Sequence, residues 1–302
     1  MSQQTLAGTL AFRPGEADIS HRFVVGLLGS GIRGSLTPGL HEGEADRLGL
    51  AYTYRVIDLD AIGQPAERSA ALVRHAADLG FDGLNVTHPS KQLVQDGVDE
   101  LSPEARILGA VNTITFHDGK AVGHNTDHTG FTEGLKAGLP SASTDSVVQI
   151  GAGGAGAAVA FGLLSTGTRH LVIADIEPAR AEALAARLAP HFPGSQLSVT
   201  RIDAVAGRIR DADGMVNSTP IGMTGHPGMP VDPDLLHSGL WVADVIYRPL
   251  ETELIKAARG KGCAVLDGGR MVVGQAAAAF ELFTGIPADA ERMLAAFRQA
   301  VS

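Results

Sequence analysis

The sequence has few cysteines, few aromatic residues and no long runs of charge or of apolar residues. Cys263 is the single cysteine among 302 residues, so no disulfide can form within the chain and a reducing compartment is expected. We expect Cys263 to be a small buried hydrophobic residue. The sequence has no basic run of the kind that predicts a nucleic-acid surface, and it has no stretch of about 20 apolar residues that would predict a membrane span. With no signal-peptide pattern at its start, the chain is predicted to be cytoplasmic.

The composition is otherwise that of a folded globular protein. Hydrophobic residues make up 44% and charged residues 19% of the chain, and the formal net charge is -9. A chain of 302 residues predicts two domains, because a domain commonly has about 100 to 200 residues. The 38 glycines indicate several loops in which the backbone approaches something closely.

Short apolar segments alternate with helical patterns along the chain, which predicts an α/β fold. The predicted strands are residues 23–28, 52–59, 83–87, 146–150, 170–174, 214–217, 241–245 and 264–266. The predicted helices are residues 38–50, 69–79 and 272–283, with a further helix opened by Pro89. We predict domains of residues 1–126 and 127–269, with the helical segment 270–302 packing back on the first domain.

The pattern G-x-G-x-x-G occurs twice, at Gly29 to Gly34 and at Gly151 to Gly156. A dinucleotide site requires a strand, a tight turn, a helix N-terminus facing the pyrophosphate, and an acid about 20 residues on. The second copy meets each condition, since Asp175 ends the following strand, although glycines could also merely permit tight packing. Its predicted cofactor-binding residues are Gly151, Ala152, Gly153, Gly154, Ala155, Gly156 and Asp175.

The first glycine copy is followed by Ser35, Leu36, Thr37 and Pro38. Proline is favoured in the first turn of a helix, so we expect Thr37 to cap a helix that begins at Pro38, too late to receive a pyrophosphate. Free amides and two hydroxyls at a helix N-terminus nevertheless form an anion site. We therefore assign Ser35 and Thr37 to a substrate carboxylate, with simple capping as the alternative.

The residues around Asp175 favour NAD over NADP. The Asp175 carboxylate can accept hydrogen bonds from both ribose hydroxyls but would repel a 2′-phosphate. Ile176 and Glu177 supply no positive charge nearby, although Arg180 could reach around.

Three further segments place polar side chains after apolar stretches: residues 85–91, 109–113 and 123–127. In the first segment, Asn85 and Thr87 would share one face of a strand end. Lys91 would follow within the first turn of the helix expected after Pro89. These residue types are suited to binding hydroxyl groups.

Taken together, the motifs resemble those of the shikimate dehydrogenase family over about residues 23–285. The matching segments are Ser35–Pro38, Asn85–Lys91, Gly109–Thr113, Asn125–Asp127, Asn217–Met223 and Gly274–Gln275. The resemblance implies an N-terminal open α/β substrate domain, a Rossmann-type NAD-binding domain and a C-terminal helix that returns to the first domain. It also implies reversible hydride transfer between NAD and the ring hydroxyl of shikimate or quinate, giving 3-dehydroshikimate or 3-dehydroquinate.

The resemblance further implies that Lys91 and Asp127 form a catalytic pair, and it adds Thr219 and Val245 to the cofactor site. Oxidation of an alcohol requires a base within reach of the hydroxyl proton. Because Asp127 would favour the charged form of Lys91, we hypothesise that Lys91 donates a proton during reduction and acts as a base only in the reverse direction at higher pH. The implied substrate-binding residues are Ser35, Thr37, Asn85, Thr87, Lys91, Asn112, Asp127, Tyr247 and Gln275.

Two segments depart from the biosynthetic form of the family. Thr37 stands where that form usually has a second serine. In this respect the sequence is more similar to the quinate/shikimate dehydrogenases. Residues 175–177, Asp-Ile-Glu, stand where its phosphate-binding Asn-Arg-Thr would be, which favours NAD. An NADP-dependent biosynthetic enzyme and an aminoshikimate dehydrogenase remain alternatives.

Rival interpretations come from other classes of protein. His117, His124 and His128 could bind a metal with Asp127, but the intervening Asn125 and Thr126 are poor helix formers, and we predict no metal. A dehydrogenase of folate one-carbon units is disfavoured by the anion site at Ser35 and Thr37. A non-catalytic NAD- or metabolite-sensing protein is disfavoured by the presence of both Lys91 and Asp127. We expect a small ring hydroxy acid as ligand, and a monomer or homodimer.

Overall fold

The computed structural model describes residues 21–301, in which helices flank two six-stranded sheets. The strands are β1 (Arg22–Gly29), β2 (Ala51–Asp58), β3 (Gly83–Val86), β4 (Glu100–Leu101), β5 (Thr113–His117), β6 (Lys120–His124), β7 (Ser146–Ile150), β8 (His170–Asp175), β9 (Gln196–Arg201), β10 (Gly214–Asn217), β11 (Trp241–Asp244) and β12 (Ala264–Leu266). The α-helices are α1 (Thr37–Leu48), α2 (Leu59–Ile62), α3 (Ser69–Asp78), α4 (Pro103–Leu108), α5 (Asp127–Gly138), α6 (Gly154–Ser165), α7 (Pro178–Leu188), α8 (Ala206–Arg210), α9 (Glu253–Gly260), α10 (Gly269–Thr284) and α11 (Ala290–Val301). Within this part of the chain, no helix is both long and apolar enough to cross a membrane.

The first sheet is open and mixed, with strand order β2-β1-β3-β5-β6-β4. Strand β1 runs parallel to β2 and β3, whereas β5 is antiparallel to β3 and β6. Successive strand residues face opposite layers. Leu27 packs with Phe283 of α10, and Leu28 packs with Val73 of α3 on the other face. Because the apolar side chains alternate between the two faces, each face packs against a helix.

The second sheet is parallel throughout, with strand order β12-β11-β10-β7-β8-β9. This is the doubly wound order. The chain adds β8 and β9 on one side of β7 and then returns to add β10, β11 and β12 on the other side, so the strand order reverses beside β7, the strand that precedes the second glycine motif. Val147 and Val148 point into separate hydrophobic layers on the two faces. The predicted α/β fold with a Rossmann-type sheet is confirmed.

Helix α5 joins the two sheets and packs very closely on α10. A Cβ atom at Gly130 would lie 2.4 Å from the carbonyl oxygen of Met271 and 2.5 Å from the amide nitrogen of Gln275. A Cβ at Gly274 would lie 2.9 Å from the Cα of Gly130. Only glycine permits this approach, which sets the start of α5 beside the middle of α10.

The last helices return to the first sheet. Val273 of α10 and Phe297 of α11 share a hydrophobic cluster with Leu40 of α1. We propose that the domains divide before α5, at residues 126 and 127, and again near residue 269, with residues 270–302 belonging to the first domain.

The prediction that Pro89 opens a helix is wrong. Residues 88–92 form turns, followed by a short 3₁₀ helix, Leu93–Gly97. The amide of Ser90 bonds to the carbonyl of Thr87 at 2.9 Å, and the carbonyl of Lys91 accepts the amide of Val111 at 2.8 Å. Because Lys91 is tied to a neighbouring loop, its carbonyl is not used in a helical turn.

Candidate active site

A pocket of about 370 Å³ lies between the two sheets, next to the carboxyl ends of β1, β3 and β11. This is the edge at which open α/β sheets bind their ligands. Residues of both sheets and of α5 and α10 line it. Every residue predicted for substrate binding lies on this pocket: Ser35, Thr37, Asn85, Thr87, Lys91, Asn112, Asp127, Tyr247 and Gln275.

Lys91 and Asp127 form an ion pair on the wall of the pocket. Lys91 Nζ lies 2.5 Å from Asp127 Oδ2, and the side chains are 28% and 13% exposed, respectively. Asn112 Nδ2 donates to the other carboxylate oxygen, Oδ1, at 2.9 Å. The ammonium group is therefore held in place yet remains accessible to a ligand and to water.

Asn112 is itself fixed by its neighbours. Its Oδ1 accepts the amide of Thr126 at 2.7 Å and the hydroxyl of Thr113 at 3.1 Å. Since Asn112 is only 3% exposed, these bonds determine which way its amide faces. Asp127, at the start of α5, is consequently oriented by a buried network that begins on β5.

Asn85 is held by Tyr54, a residue that the sequence analysis missed. Tyr54 Oη donates to Asn85 Oδ1 at 2.7 Å, and Asn85 Nδ2 donates to Thr113 Oγ1 at 3.1 Å. Burial raises the pKa of Tyr54 well above its ordinary value, so the phenol stays a donor. One Nδ2 hydrogen of Asn85 is left for a ligand. The alternation of Tyr52 and Tyr54 along β2 is the pattern that could have indicated Tyr54.

Ser35 and Thr37 line the pocket, but the prediction that Thr37 caps the helix is wrong. Helix α1 begins at Thr37, and its N-cap residue, Leu36, makes no side-chain cap. Ser35 Oγ instead accepts the amide of Thr37 at 3.3 Å and donates to Thr37 Oγ1 at 3.2 Å. The two hydroxyls therefore pair with each other at the pocket surface.

The loop before Ser35 is anchored by Asp58, at the end of β2. The Asp58 carboxylate accepts the amides of Gly31 and Ile32, each at 3.1 Å. These backbone hydrogen bonds lower the pKa of Asp58 against the opposing effect of its desolvation. Asp58 thereby fixes the start of the loop that leads to Ser35 and Thr37.

The second glycine motif forms a tight turn between β7 and α6. Gly151 has a φ of 101°, and a Cβ there would lie 2.9 Å from the backbone of Ser218. In contrast, apart from the adjacent residues and the nearby backbone of α6 itself, no atom of residues 21–301 lies within 4 Å of a Cβ built on Gly153 or Gly154. This open space at the amide end of α6, and the buried Ser218 Oγ that finds no partner in the same residues, fit a bound dinucleotide.

Asp175 is already bonded to backbone amides. Its Oδ2 accepts the amide of Ala152 at 2.7 Å and its Oδ1 accepts that of Glu177 at 2.8 Å, in a residue only 7% exposed. The carboxylate therefore holds the glycine turn, in addition to any contact with a ribose. Next to it, Ile176 is 78% exposed, and Arg180 is paired with Glu177 at 2.9 Å.

The ends of β10 and β11 are joined by buried side chains. Asn217 Nδ2 donates to Asp244 Oδ1 at 3.0 Å, and Thr219 Oγ1 donates to Asn217 Oδ1 at 2.7 Å. Asp244 also accepts the amide of Ile246, at 3.1 Å, and burial raises its pKa to about 6. This network positions Thr219 and the segment from Val245 onward, and Val245 lines the pocket.

The three histidines considered as metal ligands lie on separate elements. His117 ends β5, His124 ends β6, and His128 lies in α5 with its ring 4.9 Å from that of Phe161. His124 Nε2 lies 3.2 Å from Thr115 Oγ1. In the described part of the chain, no three metal-ligating side chains come together.

Arg248 and Met271 also line the pocket, and the sequence analysis missed both. Arg248 directly follows Tyr247, the residue that was recognised. Its position just after β11, at the ligand-binding edge of the sheet, is the sequence feature that could have indicated Arg248 as a pocket residue. A doubly wound sheet with an open glycine turn, beside a pocket that holds a lysine–carboxylate pair, defines an NAD(P)-linked oxidoreductase acting on CH–OH groups.

Comparisons with known proteins agree with this class. Residues 27–114 match the family model described as the shikimate dehydrogenase substrate binding domain, and residues 269–296 match the shikimate 5'-dehydrogenase C-terminal domain. The chain is 56% identical over 273 residues to a shikimate dehydrogenase (NADP(+)) of Streptomyces avermitilis, covering 90% of this chain and 94% of that protein. The chain belongs to the shikimate dehydrogenase family.

Two other relatives carry names with a different cofactor. A quinate/shikimate dehydrogenase (NAD(+)) of Corynebacterium efficiens is 47% identical over 277 residues, covering 91% of this chain and 97% of that protein. The solved quinate dehydrogenase from Corynebacterium glutamicum in complex with NAD superposes with a TM-score of 0.88 at 45% identity, covering 92% of this chain and 99% of that one. The family thus includes relatives named for either cofactor.

Proposed function

We propose that this enzyme is a quinate/shikimate dehydrogenase that prefers NAD. It would interconvert shikimate or quinate with 3-dehydroshikimate or 3-dehydroquinate. The observation that carries the proposal is the Lys91–Asp127 ion pair, at 2.5 Å, in the same pocket as the Ser35 and Thr37 hydroxyls. One part of the pocket is suited to proton transfer and the other to a carboxylate. We further propose a cytoplasmic location and a monomeric or homodimeric state.

The residues of the pocket divide the work of the reaction. NAD, held by the Gly151 to Gly156 turn, would supply the hydride acceptor for oxidation and, as NADH, the hydride donor for reduction. Ser35 and Thr37 would hold the carboxylate, and Asn85 and Thr87 would bind ring hydroxyls. During reduction, Lys91 Nζ gives a proton to the carbonyl oxygen as that oxygen becomes a hydroxyl. Asp127 keeps Nζ in position, and the 28% exposure of Lys91 allows water to restore the proton.

The preference for NAD is supported by the charges after β8. A 2′-phosphate would approach the buried Asp175 carboxylate, and the exposed Ile176 offers it no hydrogen bond. Arg180 is engaged by Glu177 at 2.9 Å, which reduces its availability to a phosphate. Relatives named for NADP and for NAD both match this chain, so the local charges carry the argument.

The decisive measurement is the initial rate of NADH and of NADPH formation with shikimate and with quinate. We expect turnover with at least one of the two acids, and a kcat/KM for NAD at least about tenfold above that for NADP, which corresponds to about 1.4 kcal/mol. A preference for NADP would favour the biosynthetic alternative. Absence of turnover with both acids and both cofactors would contradict the proposed function.

Replacing Ile176 with arginine should improve the use of NADP. A guanidinium group at this exposed position can make a charge-assisted hydrogen bond to a 2′-phosphate, and we expect kcat/KM for NADP to rise about tenfold. The matched control is Ile62→Arg, the same change at an isoleucine that is 48% exposed and lies away from the pocket. Equal NADP kinetics in the two variants would mean that the 2′-position of the cofactor does not lie near residue 176.

A further inference from the structure

Arg248 belongs to the cofactor-binding sheet but reaches the opposite wall of the pocket. It follows β11, lines the pocket and is exposed. Its Nη1 atom lies 3.9 Å from the position of a Cβ built on Gly34, the residue that precedes Ser35. The guanidinium group therefore lies against the loop that carries the Ser35 and Thr37 hydroxyls.

The backbone that carries Arg248 is held firmly on both sides. The carbonyl of Arg248 accepts the amide of Thr224 at 3.0 Å and its hydroxyl at 3.2 Å. Upstream, the amide of Ile246 is bonded to the buried Asp244, and the carbonyl of Ile246 accepts the amide of Gly268 at 3.2 Å. The side chain consequently extends from a fixed point rather than from a free loop.

The charge of Arg248 is uncompensated within the pocket. Three charged side chains line the pocket, and two of them, Lys91 and Asp127, are paired with each other. In residues 21–301, the guanidinium of Arg248 has no ion pair or hydrogen bond. A positive group in the same pocket as two hydroxyls is suited to a carboxylate, which guanidinium can bind through two parallel hydrogen bonds.

We propose that Arg248 binds the substrate carboxylate together with Ser35 and Thr37, so that one anion contacts both walls of the pocket. This inference rests on the proposed function, because it concerns the carboxylate of the same ring acid. Arg248 then makes the enzyme selective for acids over uncharged ring polyols. It also links substrate binding to the relative position of the two sheets, because the ligand bridges them.

The test compares the wild type with Arg248→Met and Arg248→Lys, using shikimate and its carboxamide as substrates with NAD. We expect Arg248→Met to raise KM for the acid by about 10- to 30-fold, as loss of a charge-assisted bond does, with kcat within about twofold. KM for the carboxamide should be the same in wild type and variant. Arg248→Lys should recover part of the loss for the acid, because it restores the charge without the planar fork.

Arg33→Met serves as the matched control. Arg33 is a nearby exposed arginine whose side chain does not line the pocket, so its loss tests for a general electrostatic effect. We expect KM for the acid to stay within about twofold of the wild-type value, since a solvated charge that makes no contact acts only weakly through the high dielectric of water. An equal rise in KM for Arg33→Met and Arg248→Met would contradict a direct contact between Arg248 and the substrate carboxylate.

The remaining outcomes separate this inference from the proposed function. Wild-type turnover with an unchanged KM in Arg248→Met, or an equal change for acid and carboxamide, would overturn the inference alone. A rise confined to KM for NAD would also overturn it, because Arg248 would then bind the cofactor. Absence of wild-type turnover with either acid would overturn the proposed function, and this inference with it.

Discussion

Replacing Lys91 with methionine should lower kcat by about three orders of magnitude at saturating substrate and NAD. General acid–base catalysis commonly contributes about 10²- to 10⁴-fold, and in the proposed reaction Lys91 Nζ, which lies 2.5 Å from Asp127, donates the proton. Methionine retains most of the length of the side chain but carries no proton to transfer. KM for NAD should change little, since the glycine turn and Asp175 lie on other elements. Stopped-flow or steady-state NADH absorbance measures the effect.

The control for Lys91 is Lys136→Met. Lys136 also belongs to an ion pair, with Glu133 at 2.9 Å, but its side chain is 59% exposed and lies at the far end of α5. Its loss should leave kcat unchanged, because exposed pairs contribute little to stability and none of its atoms reach the pocket. A kcat for Lys91→Met within about threefold of the wild type would exclude Lys91 as the proton donor, given that acid–base catalysis contributes far more.

The second large effect is expected from Gly156→Ala. A Cβ at Gly156 would lie 2.3 Å from the carbonyl oxygen of Gly151, which belongs to backbone and cannot move aside as a flexible side chain could. The buried Gln149 Nε2 donates hydrogen bonds to the carbonyls of Gly151 and Gly156, each at 2.8 Å. The added methyl group would push these two backbone segments apart and weaken both hydrogen bonds. Displacing the turn by about 1 Å should lower kcat/KM for NAD by roughly 10²-fold.

The same substitution should destabilise the fold. Overpacking costs about 1–3 kcal/mol, which in a domain of this size lowers Tm by about 2–10 °C. Gly154→Ala is the matched control for stability, because a Cβ at that position meets no atom of the described residues within 4 Å. Differential scanning calorimetry and NAD titration measure both effects. A Gly156→Ala variant that bound NAD like the wild type would show that the cofactor does not use this turn.

The sequence motifs predicted most of the site because each motif is local. The strand before Gly151 and the helix after it are encoded by an apolar run, a glycine turn and an alanine-rich segment, all within a few residues. The order of these elements favoured the second glycine copy over the first as the dinucleotide motif. Local patterning also placed Asn85 and Asp127 at element ends, where the pocket lies.

The errors and omissions concern groups whose partners are distant in the chain. Pro89 was expected to open a helix, but the carbonyl of Lys91 bonds to Val111 instead. The hydrogen bond from Tyr54 to Asn85 joins two strands of the first sheet, and no spacing within one segment indicates it. The hydrogen bond from the Ala152 amide to Asp175 likewise becomes visible only when the turn and β8 lie side by side.

The sequence by itself determined the α/β order of elements and the family, and it predicted the glycine turn and the Lys91–Asp127 pair, since apolar periodicity and short motifs encode these locally. The tertiary structure alone decided how the residues meet. The contact of Gly130 with α10 brings Gln275 to the same pocket as Asp127. The path of the chain after β11 sets Arg248 against Gly34, on the other wall. Such contacts depend on helix crossings and sheet packing, in which side chains far apart in sequence approach within a few ångströms, and no local pattern specifies that approach.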